Sequence, residues 1–244
     1  MHAALLVVAL GSCLLLLDAA GPGAAQAHHA APAPGCAVVV DTLLDGEDSA
    51  GCSLRDAIAS ANGDTAVGGC AAGCGADLVT FAVTGTIRLA LALPAIAGDL
   101  TIDGGNTITL EGGNGLDDRN GVRVLHSAPG ARLAVDGLAI ANGYAEDGRG
   151  GCVLNEGDLA LDDTTVRGCV VSENGTGSGI YNLGALTLRH SVVRENGIPW
   201  WINNAVGIAN APTGLLVLES TVVSGNTPLG QLRRHRQRGH RRDP

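Results

Sequence analysis

Asp162 and Asp163 are adjacent carboxylates, and their surroundings recur further along this 244-residue chain. The segment "LALDDTTV" is matched by "LTLRHSVV" and then by "LVLESTVV", which sets Arg189-His190 and Glu219-Ser220 level with Asp162-Asp163. Cleavage of a glycosidic bond needs one carboxyl group to donate a proton and a second to serve as base or nucleophile. A histidine can move protons near neutral pH. Asp162, Asp163 and His190 are therefore the candidate catalytic residues. On alternating strand positions such side chains also face solvent simply as charge. Asp117-Asp118 in "GLDDRNG" and the acidic "DGEDSAG" (Asp45–Gly51) are weak Ca²⁺ candidates. Neither has EF-hand spacing, no Gly-Gly-x-Gly-x-Asp repeat is present, and along the chain no carboxylates cluster at ligand spacing. No other cofactor or metal is expected. Nucleophile-elbow, P-loop and dinucleotide motifs are absent.

Both tryptophans, Trp200 and Trp201, sit together in "NGIPWWINN" (Asn196–Asn204), which lengthens the connection between two repeats. Insertions in a repeat protein fall on one face, and that face often binds. Indole faces suit sugar stacking, so Trp200 and Trp201 are the candidate ligand-binding residues. The competing reading packs them over the neighbouring coil.

These groups must be positioned by the repeat itself. "GGCVLNEGDLALDDTTVRGC" (Gly150–Cys169), "GSGIYNLGALTLRHSVVREN" (Gly177–Asn196) and "AVGIANAPTGLLVLESTVVSGN" (Ala205–Asn226) align. Asn155, Asn182 and Asn210 share one column; Asn196 and Asn226 share another, in which Cys169 takes the equivalent place. Leu159-Leu186-Leu216, Leu161-Leu188-Leu218 and Val166-Val193-Val223 form apolar columns. "ARLAVDGLAIANG" and "DLTIDGGNTITLEG" fit as earlier coils, the second more loosely. The leucine-rich-repeat pattern is missing, and aromatics make up only 2% of residues, which argues against WD40 blades. A period of about 27 residues without helix predicts a parallel β-helix, its alternate side chains stacked in the bore. The asparagines are expected to form hydrogen-bonded ladders at turns. Gly179 and Gly207 are expected to supply turn geometries closed to other residues. Cys152 replaces the glycine of that column, so Cys152 and Cys169 fall in one coil, where a bond between them is allowed but not fixed.

"GCSLRDAIASAN" (Gly51–Asn62) is the one stretch that reads as helix. Ser53 is placed to cap it, with Asp56 as a short capping-box partner, and Asn62-Gly63 to end it. Leu54, Ala57, Ile58 and Ala61 give one apolar face. Such a helix suits the open first coil, which otherwise exposes its bore and unpaired backbone. Arg55 points away, as a surface or ion-pairing residue.

Leu5–Leu17 is almost wholly apolar and is followed by "AAQA", so residues 1–27 read as a signal peptide cleaved after Ala27. "LGSC" (Leu10–Cys13) also has the form of a lipobox, but the apolar "LLLL" after it lacks a polar tether. No second long apolar stretch exists, so no transmembrane span and a soluble mature chain are expected. Beyond Cys13 six cysteines remain, an even number with 15 possible pairings, as suits an exported chain. Zinc at Cys70 and Cys74 lacks a histidine partner. "QLRRHRQRGHRRDP" (Gln231–Pro244) holds six of the 15 basic residues and no alternation. It reads as a disordered tail, either a basic arm or the frame-shifted or truncated end of a longer gene; the remainder of the chain is acidic, and no nucleic-acid partner is expected.

"VVDTLLDGEDSAGCSLRDAIASAN" and "GADLVTFAVTGTIRLALALPAIAGDLTIDG" together resemble the CSLREA domain of bacterial exported proteins. The motif stands here as Cys52-Ser53-Leu54-Arg55-Asp56-Ala57, with Asp56 in place of the usual Glu. "GSGIYNLGALTLRHSVVREN" is similar to the repeats of polymorphic outer-membrane-type proteins. The resemblance covers roughly residues 37–228. It implies a right-handed parallel β-helix, exported and often surface-attached, and implies no particular activity. The expected organisation is a signal peptide (1–27), a linker (28–36), the CSLREA cap with β-helix (37–228) and an Arg-rich tail (229–244). The expected function is an adhesion or interaction scaffold, secreted or at the cell surface, with polysaccharide or cell-surface components as partners. The alternative is a carbohydrate-active β-helix hydrolase or lyase.

Overall fold

A computed structural model describes residues 35–46, 51–113, 121–172, 175–197 and 206–226. The signal-peptide, linker-start and tail expectations, together with Trp200, Trp201, Asp117 and Asp118, lie outside the described residues.

The described chain is an all-β parallel solenoid of about five turns with one helix. Its last three coils repeat the same three strands. They are β8 (Val153–Asn155), β9 (Asp158–Asp162) and β10 (Thr165–Arg167); β12 (Ile180–Asn182), β13 (Ala185–Arg189) and β14 (Val192–Arg194); and β15 (Ile208–Asn210), β16 (Leu215–Glu219) and β17 (Val222–Ser224). Short β11 (Val170–Val171) follows β10 and pairs with β7 (Tyr144–Ala145). Before them, β5 (Leu125–Ser127) pairs with β8, and the long β6 (Arg132–Ala141) serves both β9 and β10. β4 (Asp99–Glu111) pairs along β6, and β2 (Ala76–Phe81) and β3 (Gly85–Arg88) pair with β4. β1 (Ala37–Val40) is the edge strand, on β2.

Every one of these pairings is parallel, and register follows side-chain alternation. Leu100, Leu133, Leu159 and Leu186 form one inward column, Ile102, Val135, Leu161 and Leu188 a second, and Leu110, Ile140, Val166 and Val193 a third. None of the twelve exceeds 4% exposure. Fully burying each contributes about 1.5–3 kcal/mol, and a one-residue slip would turn a whole column outward. At the last described coil the inward positions lose their cover, and Leu218 and Val223 are each 45% exposed.

The corner after β9, β13 and β16, and its counterpart within β6, is a single residue in the left-handed region: Asp163 (φ 43°), His190 (φ 48°), Ser220 (φ 49°) and Gly137 (φ 60°). A hydroxyl follows Asp163, His190 and Ser220, whereas Leu138 follows Gly137. Thr164, Ser191 and Thr221 donate back to the carbonyls of Asp162 (2.7 Å), Arg189 (2.7 Å) and Glu219 (3.0 Å). The glycine column works differently from the expectation. Gly179 does not have a positive φ; a Cβ there would lie 2.5 Å from the Gly207 carbonyl oxygen and 3.0 Å from the Asn196 amide. Close packing, not turn geometry, requires glycine at this place.

α1 (Leu54–Gly63) starts at Ser53, whose Oγ accepts the Asp56 N–H at 3.1 Å and donates to the Asp56 carboxylate at 2.8 Å. The helix runs through Gly63 and stops at Asp64, which takes the left-handed conformation (φ 48°). The stop is thus one residue later than the Asn62-Gly63 expectation, because an aspartate tolerates that conformation. Asn62 instead grips the chain beyond β3, donating to Ala95 C=O (2.8 Å) and accepting from Ala97 N–H (2.9 Å). α1 packs on β1 and β2 through Leu54, Ala57, Ile58 and Ala61, which join the common core. Three disulfides are present: Cys36–Cys74, Cys52–Cys70 and Cys152–Cys169. The first two staple the α1 region, and they separate Cys70 from Cys74, which removes the zinc reading.

Candidate functional site

The ladder that carries Asp162 runs the length of the repeat. Asp103 pairs in register with Asp136, Asp136 with Asp162, Asp162 with Arg189, and Arg189 with Glu219. Three carboxylates on successive strands are therefore followed by a cation and a fourth carboxylate. Strand neighbours stand about 4.8 Å apart. The Arg189 Nε donates to Glu219 at 2.8 Å. Beside this ladder runs the corner column, with Asp163 next to His190.

His190 Nδ1 lies 3.0 Å from Asp162 Oδ1. The hydrogen bond to Asp162 holds the imidazole above its ordinary value, aided by the charges of Asp162, Asp163 and Glu219. One donor atom from each of Asp162, Asp163 and His190 falls within 4.8 Å of the others. The coil spacing thus brings together the three residues that the repeat alignment set level, in a cluster of a size that can share a divalent cation. Its members are open to water, with side-chain exposures of 60% for His190 and 45% for Asp162. Asp136 titrates above the usual carboxylate range, through partial desolvation and then repulsion from Asp103, Asp162 and Asp163.

Asp103 and Asp136 were not singled out from the sequence. The signal was available in "LTIDG" and "LAVDG", which align with "LALDD". The acidic "DGEDSAG" loop has a different use at its first residue. Asp45 is buried and takes a bidentate ion pair from Arg55, at 2.9 Å from Nε and 2.8 Å from Nη2. Arg55 also donates to the Leu91 and Ala92 carbonyls, and Ala90 N–H donates to Asp45. Asp45 is therefore committed to holding the chain after β3 against the helix.

The structural asparagines form two ladders. Asn155 Nδ2 donates to Asn182 Oδ1 at 2.7 Å, and Asn182 Nδ2 to Asn210 Oδ1 at 2.6 Å. Asn196 donates to Asn226 Oδ1 from its backbone (3.0 Å) and its amide (2.9 Å), while its own Oδ1 accepts the Cys169 N–H (3.0 Å).

The described architecture is that of a disulfide-bonded parallel β-solenoid. Comparison with family models, with curated proteins and with solved structures returns no significant match. Among the described residues no helix is long and apolar enough to cross a membrane.

Proposed function

We propose that the protein is an exported or cell-surface solenoid of the CSLREA type, whose regular faces serve adhesion or interaction with polysaccharide or other cell-surface components. The observation that supports this most is the state of the polar ladder. Its later charges are paired along the coil axis, Arg189 with Glu219 and His190 with Asp162, while Asp103 and Asp136 continue it as further carboxylates, and the His190–Asp162 pair is open to water. Catalytic groups gain their power from preorganised, water-excluded surroundings. Repeated paired charge on an open corner suits a surface that contacts an extended partner. Three disulfides favour an oxidising compartment outside the cytosol, in keeping with a cleaved signal peptide.

The test is co-sedimentation of the purified protein with pectin and other acidic or neutral polysaccharides, with and without Ca²⁺, alongside an assay for new reducing or unsaturated ends. Binding without new ends is expected. Reproducible cleavage that disappears in Asp163→Asn would overturn the scaffold reading in favour of a hydrolase or lyase.

A further inference from the structure

Asp77 is a buried carboxyl group at the start of β2, with 1% of its surface exposed. Its Oδ1 accepts the Cys74 N–H at 2.8 Å, whereas its Oδ2 is buried without a hydrogen-bond partner. A carboxyl oxygen of Asp77 lies within 4.8 Å of the sulfurs of both Cys36 and Cys74. Cys74 is exposed and Cys36 half-buried. The other two bridges are closed to solvent, with Cys52 and Cys70 at 2% and 5% exposure and Cys152 and Cys169 at 0%. One disulfide of the three thus combines an exposed cysteine residue with an unsatisfied buried acid.

We propose that Cys36–Cys74 is a thiol–disulfide exchange site whose substrate is a small-molecule or protein thiol, with Asp77 as the proton donor to the departing sulfur. The incoming thiolate attacks the Sγ of Cys74, the more exposed residue of the pair. The Cys36–Cys74 bond breaks, its electron pair leaves on Cys36 Sγ, and Cys36 takes the proton from Asp77, which becomes a carboxylate. The product is a mixed disulfide on Cys74. A second thiolate then attacks the substrate sulfur of that mixed disulfide and releases Cys74 as a thiolate and the substrate as its own disulfide. Two thiols are oxidised and one protein disulfide is reduced. A carboxyl within 4.8 Å reaches the parting sulfur directly or through one water. Only the attacking thiolate is reactive, and access to the attacked sulfur sets the rate.

Burial holds the Asp77 carboxyl above its usual range, opposed by the Cys74 N–H and reinforced by the negative charge of Asp64 at the end of α1. Asp64 is the charged side chain that acts on it from the helix, and the Ser60 carbonyl closes the other side across Gly73. The carboxyl is thereby available as an acid at higher pH than an exposed aspartate.

The experiment is a timed reduction of the full exported chain with glutathione from pH 5 to 8, quenched by alkylation, with each cysteine pair followed by peptide mass mapping. Cys36–Cys74 is expected to open about ten-fold or more ahead of the two buried bridges. Divided by thiolate concentration, its rate is expected to fall as pH rises through the Asp77 titration. Asp77→Asn keeps the acceptor for Cys74 N–H and removes the proton; it should slow the opening about ten-fold and flatten that profile. Equal rates at all three bridges, or an unchanged rate and profile in Asp77→Asn, would overturn the proposal. Should Asp77→Asn fail to fold, the wild-type order of opening decides: Cys36–Cys74 opening no faster than the two buried bridges overturns the exchange site.

Discussion

Cys152 and Cys169 are joined across one coil at the places that Gly179 and Asn196 occupy in the next. In the later coil the Asn196 amide packs over Gly179, with no room for a Cβ. Cys152→Ala with Cys169→Ala should lose about 3 kcal/mol, the closure term for a loop of this length. Cys152→Gly with Cys169→Asn should recover to within about 1 kcal/mol of the parent by restoring the amide bonds. Urea denaturation of the parent and both double variants under oxidising conditions measures the difference.

Asn182 sits at the middle of its ladder, fully buried. It accepts from Asn155 and donates to Asn210, to the Leu215 carbonyl and to the Gly184 carbonyl. Asn182→Ala strands all of these partners and should cost about 2–3 kcal/mol. Asn182→Asp should cost at least as much, because a carboxylate cannot donate to three acceptors. Thermal melts of the two variants rank them.

Arg55 meets Asp45 with the Nε–Nη2 edge of its guanidinium and donates to two carbonyls besides. The Asp45 side chain is 1% exposed, so removing its partner leaves a buried charge alone. Arg55→Ala is expected to destabilise by about 3 kcal/mol. Arg55→Lys should recover little of this, since an ammonium cannot reproduce a two-pronged contact. Hydrogen exchange at β1 and α1 should rise in both.

His190 binds its proton more tightly in the folded chain than in the unfolded one, where the ordinary value is 6.5. Its contribution to stability is therefore fully present below pH 6.5 and is lost as pH rises through the higher folded value. An NMR titration should place the His190 midpoint above 6.5 and return it toward 6.5 in Asp162→Asn. A midpoint unmoved by that change would mean that the 3.0 Å contact is not formed in solution.

The columns found by aligning the three repeats are the columns of the solenoid: Asn155, Asn182 and Asn210 pair, as do Leu159, Leu186 and Leu216, and Val166, Val193 and Val223. A strict period and a buried face leave one register open, so alternation carries the fold. The earlier coil aligned loosely for a visible reason. Between Asp103 and Ile108 the corner holds four residues, where β6 has Gly137 alone, so the stretch after Asp103 falls out of step with the later coils. The clustering of Asp162, Asp163 and His190 depends on spacing between coils, which no spacing within a strand records. Disulfide partners at Cys36, Cys52, Cys70 and Cys74 lie outside the repeat, where periodicity is silent. The Asp77 site was missed for a related reason: Asp77 stands at the start of β2, ahead of the three-strand repeat, and its neighbours Cys36 and Cys74 lie off the pattern.

Four different residues, Gly137, Asp163, His190 and Ser220, hold the same left-handed corner. The backbone asks only that the position tolerate a positive φ; behind three of the four a hydroxyl closes the turn. Chemistry at this corner can therefore drift while the stack stays intact, one coil at a time. A chain built this way can acquire or shed a reactive surface by substitutions that cost the fold almost nothing, so its surface chemistry and its architecture evolve on separate clocks.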